Sequence, residues 1–332
     1  MAEPILSVRD LHTNFTANEG VVRAVDGVSF DVFEGRTLGV VGESGCGKSV
    51  TARSILGIVE KPGRVTGGQI LLRPADGGAV VDLLRLAPDE MRRVRGREIG
   101  LVFQEPMASF SQYYTIGNQI AEGIRLHKGL GAKAARERAI ELLDMVGVPQ
   151  PSRRVDEYPF QLSGGLRQRV MIAMALSCDP RVLIADEPTT ALDVTTQAQI
   201  LDLLRDLQNK QGLAIILITH DMGVIAEMAH DVAVMYLGRA VETGPVREIF
   251  AAPQHPYTRA LLRSIPTVMA KPRTRLPTIE GSIPHPFNRP AGCAYNPRCT
   301  EVVSEVCRTS EPPEVGVQGR NVRCFLHGGR PA

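Results

Sequence analysis

No apolar run in this 332-residue chain is long enough to cross a bilayer. The longest, Val170–Leu176, falls far short of the roughly 20 residues that a spanning helix needs. The opening residues, Met1-Ala2-Glu3-Pro4, lack the charged-then-apolar pattern of a secretory leader. The expectation is a chain that stays in the cytoplasm and meets a membrane only through partners. An excess of one charge is missing too: 38 Lys and Arg against 36 Asp and Glu leave a net charge of +2, with no broad basic field for nucleic acid. The short cluster Arg92, Arg93, Arg95 and Arg97 reads as a solvated face. There is no internal repeat. Cysteine is sparse in the body of the chain, where only Cys46 and Cys178 occur, while Cys293, Cys299, Cys307 and Cys324 crowd the tail. What is present is ordinary for a globular protein, with 43% hydrophobic and 22% charged residues. The length suffices for one α/β domain and a smaller appendage.

Strand and helix signals alternate along the chain. Short β-like runs at Ile5–Val8 and Val28–Val32 flank the polar residues 16–20, and Leu38–Gly42 is a compact apolar strand. A glycine-rich turn follows, then a helical stretch over Lys48–Val59. Residues 64–104 read as strand and hairpin, closing with Ile99–Phe103, and residues 112–180 read as helical. Over Ala132–Val146 the charges fall on one side, and Ile140, Leu143 and Val146 on the other. Strands return at Val182–Ala185 and Ala214–Thr219, separated by the helical Thr196–Lys210, and a last pair, Val232–Leu237 and Arg239–Thr243, joins at Gly238. Such alternation implies a mostly parallel, buried sheet. Beyond about residue 265 the prolines 266, 272, 277, 284, 286, 290 and 297 break any periodicity, so the tail is expected to be a separate unit.

Gly42-Glu43-Ser44-Gly45-Cys46-Gly47-Lys48-Ser49 fits G-x-x-x-x-G-K-[ST] in the right setting, after a strand and before a helix. Glycines let backbone N–H groups curl around phosphate oxygens without Cβ clashes. The helix N-terminus adds positive potential, Lys48 reaches the β- and γ-phosphates, and the Ser49 hydroxyl can hold Mg²⁺. The Cys46 thiol, near Lys48 and a helix N-terminus, is expected to have a lowered pKa and to react with maleimides. Downstream, Val182–Ala185 delivers two adjacent carboxylates. Asp186 suits the Mg²⁺ shell, and Glu187 can polarise an attacking water. Either signal alone has a bland reading, a glycine turn or a solvated acidic turn. In this order they define a nucleotide-binding P-loop.

Between them, Leu162-Ser163-Gly164-Gly165-Leu166-Arg167-Gln168-Arg169 resembles the LSGGQ signature of ABC ATPases, with Leu166 in place of the commonest Gln. Its Ser163, Gly164 and Gly165 open a helix over Leu166–Leu176, a second anion-binding N-terminus. The resemblance implies that this N-terminus faces the γ-phosphate held by another subunit, so that two chains sandwich two ATP molecules. The remaining motifs follow in family order. Phe15 stands where an aromatic residue stacks on adenine. Gln104 resembles the glutamine that senses Mg²⁺ and the γ-phosphate. Ala191-Leu192-Asp193 matches the D-loop that runs along the partner, and His220 matches the switch histidine. The resemblance covers roughly residues 5–250. It implies an α/β ABC nucleotide-binding domain over residues 1–250, with a RecA-like core, an antiparallel β subdomain and a helical subdomain near 105–175. No catalytic position is degraded, so hydrolysis of ATP is expected.

The tail extends the resemblance. His255-Pro256-Tyr257-Thr258, Asn288-Arg289-Pro290 and Asn296-Pro297-Arg298-Cys299 are similar to the C-terminal extension of oligopeptide and dipeptide importer ATPases, here residues 251–332. A proline-rich segment of about 60 residues buries too little apolar surface to hold itself together, so a staple is expected. Disulfides fit poorly with a cytoplasmic ATPase. Zinc stays open, although no C-x₂-C pair is present. Five, seven and sixteen residues separate the successive cysteines, a spacing that loops around a larger group could use. Four free thiols are a third reading. The subfamily resemblance implies a 4Fe–4S cluster on Cys293, Cys299, Cys307 and Cys324. It also implies the partners: a second ATPase subunit, two membrane-spanning permease subunits and, indirectly, an extracytoplasmic solute-binding protein. Work at the cytoplasmic face of a bacterial inner membrane, powering uptake of peptides or similar solutes, is the expected role. An ABC exporter ATPase is opposed by the tail. A soluble ABC protein acting on ribosomes or DNA is opposed by the single cassette without a coiled-coil insertion.

Overall fold

The computed structural model describes residues 3–75, 77–190, 192–265 and 278–328. Pro266, Pro272, Pro277 and Ala191 lie outside them. Chain segments interleave to form two compact units. One gathers Met1–Leu6, Val32–Thr37 and Leu72–Ile218; the other gathers Ser7–Asp31, Leu38–Leu71 and Thr219–Ala332.

In the first unit, strands Ile99–Val102, Val182–Asp186 and Ala214–Thr219 run parallel, with Val182–Asp186 in the middle. Every residue of that middle strand is buried. This explains why it reads as an unbroken apolar run rather than an alternating one. Three helices, Ile116–Lys128, Ala132–Met145 and Gly164–Ala175, pack on one another. The first is capped by the Thr115 side chain, which accepts the Asn118 N–H, and stops at the left-handed Gly129. Its Ile116, Ile120 and Ile124 recur at helical spacing and are wholly buried, each worth about 1.5–3 kcal/mol of apolar burial. In Ala132–Met145 the buried face is Ala135, Ala139, Leu142 and Leu143, so of the three residues expected inside, Ile140 sits only at its margin. Residues 64–104, read as strand and hairpin, also contain a helix, Pro88–Val94; Arg92, Arg93 and Arg97 are solvent-exposed, whereas Arg95 is half-buried.

In the second unit, Leu6–Ala17 lies between Gly20–Val32 and Gly63–Leu72, two long strands where the sequence suggested short ones. Strand Thr37–Val41 pairs in parallel with Asp231–Tyr236, Leu38 opposite Asp231 and Val41 opposite Val234. A tight turn through Leu237 and Gly238, both at positive φ, returns the chain antiparallel as Arg239–Pro245. The C-terminal strands Arg320–Val322 and Val315–Val317 continue this sheet, Glu242 opposite Val322. Tyr236, Tyr257 and Tyr295 form a buried aromatic cluster with ring centroids 4.7–5.3 Å apart. A residue of the tail, Tyr295, thus belongs to the same core as the strand beside the phosphate loop.

Candidate nucleotide site and a cysteine-lined cavity

The phosphate loop is built by backbone. Strand Thr37–Val41 is buried throughout and ends at Gly42. A Cβ on Gly42 would lie 2.2 Å from the Met235 carbonyl oxygen, and one on Gly47, at φ 103°, 2.2 Å from that of Ala24. The loop is therefore pressed against two strands at places only glycine can occupy. Gly47 caps helix Lys48–Ile55. The Lys48 ammonium is buried inside the turn and donates to the carbonyls of Gly42 at 2.8 Å and Glu43 at 3.3 Å. Ser44 and Gly45 are exposed and Ser49 is half-buried. One loop thus combines backbone N–H groups, a helix N-terminus and an ammonium, a combination suited to phosphate oxygens. Phe15, half-buried on Leu6–Ala17, lays its ring on Gly63, where a Cβ would come within 2.5 Å of it.

Cys46 is not what its neighbours in sequence suggested. Its side chain is 4% exposed, and burial pushes the thiol pKa up even though Lys48 pulls the other way. The expectation of a reactive thiolate is corrected: desolvation outweighs the nearby ammonium.

In the first unit, Asp186 is buried at the end of its strand, and Glu187 follows at φ 48°, a left-handed conformation uncommon outside glycine. The Glu187 N–H donates to the Ile218 carbonyl at 2.9 Å. Gln104 Nε2 donates to Glu187 Oε2 at 3.0 Å, and Thr190 Oγ1 to the same oxygen at 2.9 Å. Two donors on one oxygen fix the direction of the carboxylate. Gln104 was expected here; Thr190 was missed, and a hydroxyl three residues beyond the acidic pair was the only signal for it.

The signature helix starts at Gly164, two residues before the expected Leu166, because Ser163 caps it by accepting the Leu166 N–H. Gly165 packs on Thr196, where a Cβ would meet Cγ2 at 2.8 Å. Asp193 caps Val194–Gln211 through the Thr196 N–H and hydroxyl, which hold its pKa below the usual carboxylate range. In the second unit, His220 is exposed after Thr219, and Asp221 caps the next helix.

The tail cysteines come together. Cys293, Cys299, Cys307 and Cys324 line one small cavity with Tyr295 and Phe325, and none is in a disulfide. Backbone N–H groups are aimed at the sulfurs: Glu301 at Cys299, 3.4 Å away, Tyr295 and Asn296 at Cys293, and Leu326 at Cys324. Such donors favour thiolate, whereas burial pushes the thiols of Cys293, Cys299 and Cys324 up, the last to about 12. Among the described residues, no three His, Cys, Asp or Glu side chains converge at the spacing of a single metal ion.

The motif that introduced the tail has a physical account. The buried His255 caps Pro256–Arg263 by accepting the Tyr257 N–H at 3.0 Å, and burial drives its pKa down to about 3. Pro256 occupies the first helical position, where no N–H is needed.

A glycine-built phosphate loop between a buried strand and a helix places the chain among the P-loop proteins. The sequence profile of the ABC transporter family matches residues 25–190, and that of the oligopeptide/dipeptide transporter C-terminal region matches residues 241–307. A Brucella melitensis protein named as a peptide import ATP-binding protein is 50% identical over 95% of this chain and 94% of its own. The dipeptide transport ATP-binding protein of Escherichia coli is 46% identical over 98% and 99%. Among solved structures, a dimeric bacterial ABC transporter cassette superposes at a TM-score of 0.64, with 27% identity over 73% of this chain and 99% of that one. This chain belongs to the ABC transporter family, and its α/β fold is that of the family's ATPase cassette. Among the described residues, no helix is long and apolar enough to cross a membrane.

Proposed function

We propose that this chain is the ATP-hydrolysing subunit of an ABC importer that takes up peptides. The observation that carries the reading is its likeness, over nearly the full length of both chains, to peptide and dipeptide transport ATP-binding proteins. Residues 1–250 would form the cassette, with the helical subdomain near 105–175, and 251–332 the extension. In this reading the N–H groups of residues 42–49 bind the phosphates of ATP, Lys48 neutralises their charge, and Phe15 packs on adenine. Ser49, Gln104 and Asp186 serve Mg²⁺. Glu187 takes the proton of the attacking water, its carboxylate aimed by Gln104 and Thr190. His220 senses the γ-phosphate. Ser163, Gly164, Gly165 and Asp193 act on the nucleotide of a second ATPase subunit. The remaining partners are two permease subunits and, through them, an external solute-binding protein, with the chain peripheral at the cytoplasmic face of the inner membrane.

The cavity is assigned to a 4Fe–4S cluster. Four undisulfided cysteines around one cavity, with N–H groups aimed at three of them, support it. The residues that would hold it are Cys293, Cys299, Cys307 and Cys324, four thiols of the kind such a cluster needs. The group would supply covalent staples between loops that bury little apolar surface.

The test of function is Glu187→Gln. Hydrolysis in the complete transporter should fall by roughly 10²–10⁴, the usual contribution of a general base, while MgATP still binds. Uptake of a labelled dipeptide should stop with it. Near wild-type turnover would remove Glu187 from that role. Co-purification with ribosomes instead of permease subunits would overturn the importer reading.

A further inference from the structure

Besides Lys48, Glu43 is the only charged side chain in the phosphate loop, and a carboxylate there opposes the binding of a polyanion. Its charge is met from the tail. Arg298 Nη1 donates to Glu43 Oε2 at 2.7 Å and Nη2 to Oε1 at 3.0 Å, a parallel two-bond pair. The Arg298 side chain is 3% exposed. Its guanidinium lies 5.8 Å from the Tyr236 ring centroid, and its Nε donates to the Glu280 carbonyl at 3.0 Å. The loop is held a second time where the Glu43 N–H donates to Tyr257 Oη at 3.0 Å. Arg298 ends the short helical turn Asn296–Arg298, and the next residue is Cys299 of the cysteine-lined cavity.

We infer that Arg298, seconded by Tyr257, is a positioning residue for the phosphate loop: it cancels the Glu43 charge and fixes the loop in its phosphate-binding shape. The affinity of the loop for MgATP then depends on the C-terminal segment being in place. The inference rests on the reading of residues 42–49 as the cradle for ATP. It needs no assumption about what the four cysteines hold.

Equilibrium binding of MgATP, with thermal melting as a check on folding, decides it for the full chain. R298Q leaves a partly buried carboxylate uncompensated at the cradle and should weaken MgATP at least about tenfold. R298Q/E43Q removes the stranded charge and should recover most of that loss. A merely structural role for Arg298 predicts no such rescue. Where R298Q folds poorly, Tyr257→Phe serves instead: without its acceptor, the Glu43 amide should exchange hydrogen faster and MgATP should bind more weakly. R298Q binding like wild type, a double variant no better than R298Q, or unchanged exchange and affinity in Tyr257→Phe would each overturn the clamp. If wild-type protein binds no MgATP while remaining folded, the nucleotide reading itself falls, and the clamp with it.

Discussion

The phosphate loop and the cysteine-lined segment are joined by the Glu43–Arg298 ion pair, yet they are ordered by opposite means. In the loop, the backbone sets the shape. A buried strand feeds in, a helix leads out, and Gly42 and Gly47 sit against carbonyls that would collide with any Cβ. In the segment around Cys293–Cys324, regular structure is limited to single turns and a short hairpin. Order there comes from side chains. Arg298 reaches Glu43, Arg259 binds both oxygens of Glu301, and Arg289 joins Arg239 on the buried Asp26. Backbone-built sites are specified by residue type at fixed spacing. Side-chain-built sites are specified by partners far away in sequence.

The largest effect should come from taking away what the second region depends on. Anaerobically prepared protein should contain about four iron and four labile sulfide per chain. Cys307→Ser should lose both and become susceptible to protease between residues 278 and 328. Stoichiometric zinc without labile sulfide would replace the cluster but keep the staple. Four titratable thiols in a protease-resistant tail would dismiss both.

The first region breaks differently. Gly47→Ala would place a Cβ 2.2 Å from the Ala24 oxygen. Relieving that clash moves the loop, and an ångström-scale misplacement of bound phosphates costs roughly a hundredfold in hydrolysis rate, beside a loss of MgATP affinity. Gly45→Ala, at φ 77° with nothing within 4 Å, meets only the strain of a left-handed residue, about 1–2 kcal/mol, or under about thirtyfold. Equal losses of MgATP affinity in the two variants would show that contact with the strands does not set the loop.

That contrast explains what could be read from the sequence. The P-loop, the acidic pair and the signature were legible because strand, turn and helix periodicities surround them. The helix boundaries missed by two residues at Ser163 and Asp193 are places where a side-chain cap extends the helix past its apolar pattern. In the tail, the motif residues and cysteines were visible as an inventory, but their partners were not. Nothing near Arg298 indicates that its carboxylate is Glu43, 255 residues away. Nor does the sequence around Val315–Val322 say that its strands extend the sheet of Arg239–Pro245.

A smaller effect sharpens the side-chain half of the comparison. Buried His255 is neutral when folded, its pKa driven to about 3 by burial, with the Arg259 guanidinium and the His327 ring as neighbours. The unfolded chain protonates it below about pH 6.5, so between 6.5 and 3 the unfolded state binds more protons. Stability is therefore full above that window and falls as pH drops through it, by about 2 kcal/mol from this residue at pH 5. Thermal melts at pH 7 and 5 should separate accordingly. His255→Asn keeps a helix cap and should flatten the difference. An unchanged slope in that variant would place the acid sensitivity elsewhere.

The smallest effect is expected at Cys46, where the two regions can be compared thiol against thiol. The ammonium of Lys48 lies 4.0 Å from its sulfur, near enough to favour thiolate in water. The sulfur is out of water, however, filling the space a side chain at Gly42 would need, 2.8 Å from where its Cβ would stand. Reaction requires both a thiolate and an approach path, and burial removes both. In native protein a maleimide should therefore leave the Cys46 peptide unmodified, and added MgATP should make no difference to that peptide. Cys46→Ser should respond to the reagent as wild type does. Mass spectrometry of the tryptic peptides checks this directly. If Cys46 is modified first and MgATP protects it, the loop opens far enough for the ammonium to outweigh desolvation, and the phosphate loop is less firmly set by its backbone than its glycines imply.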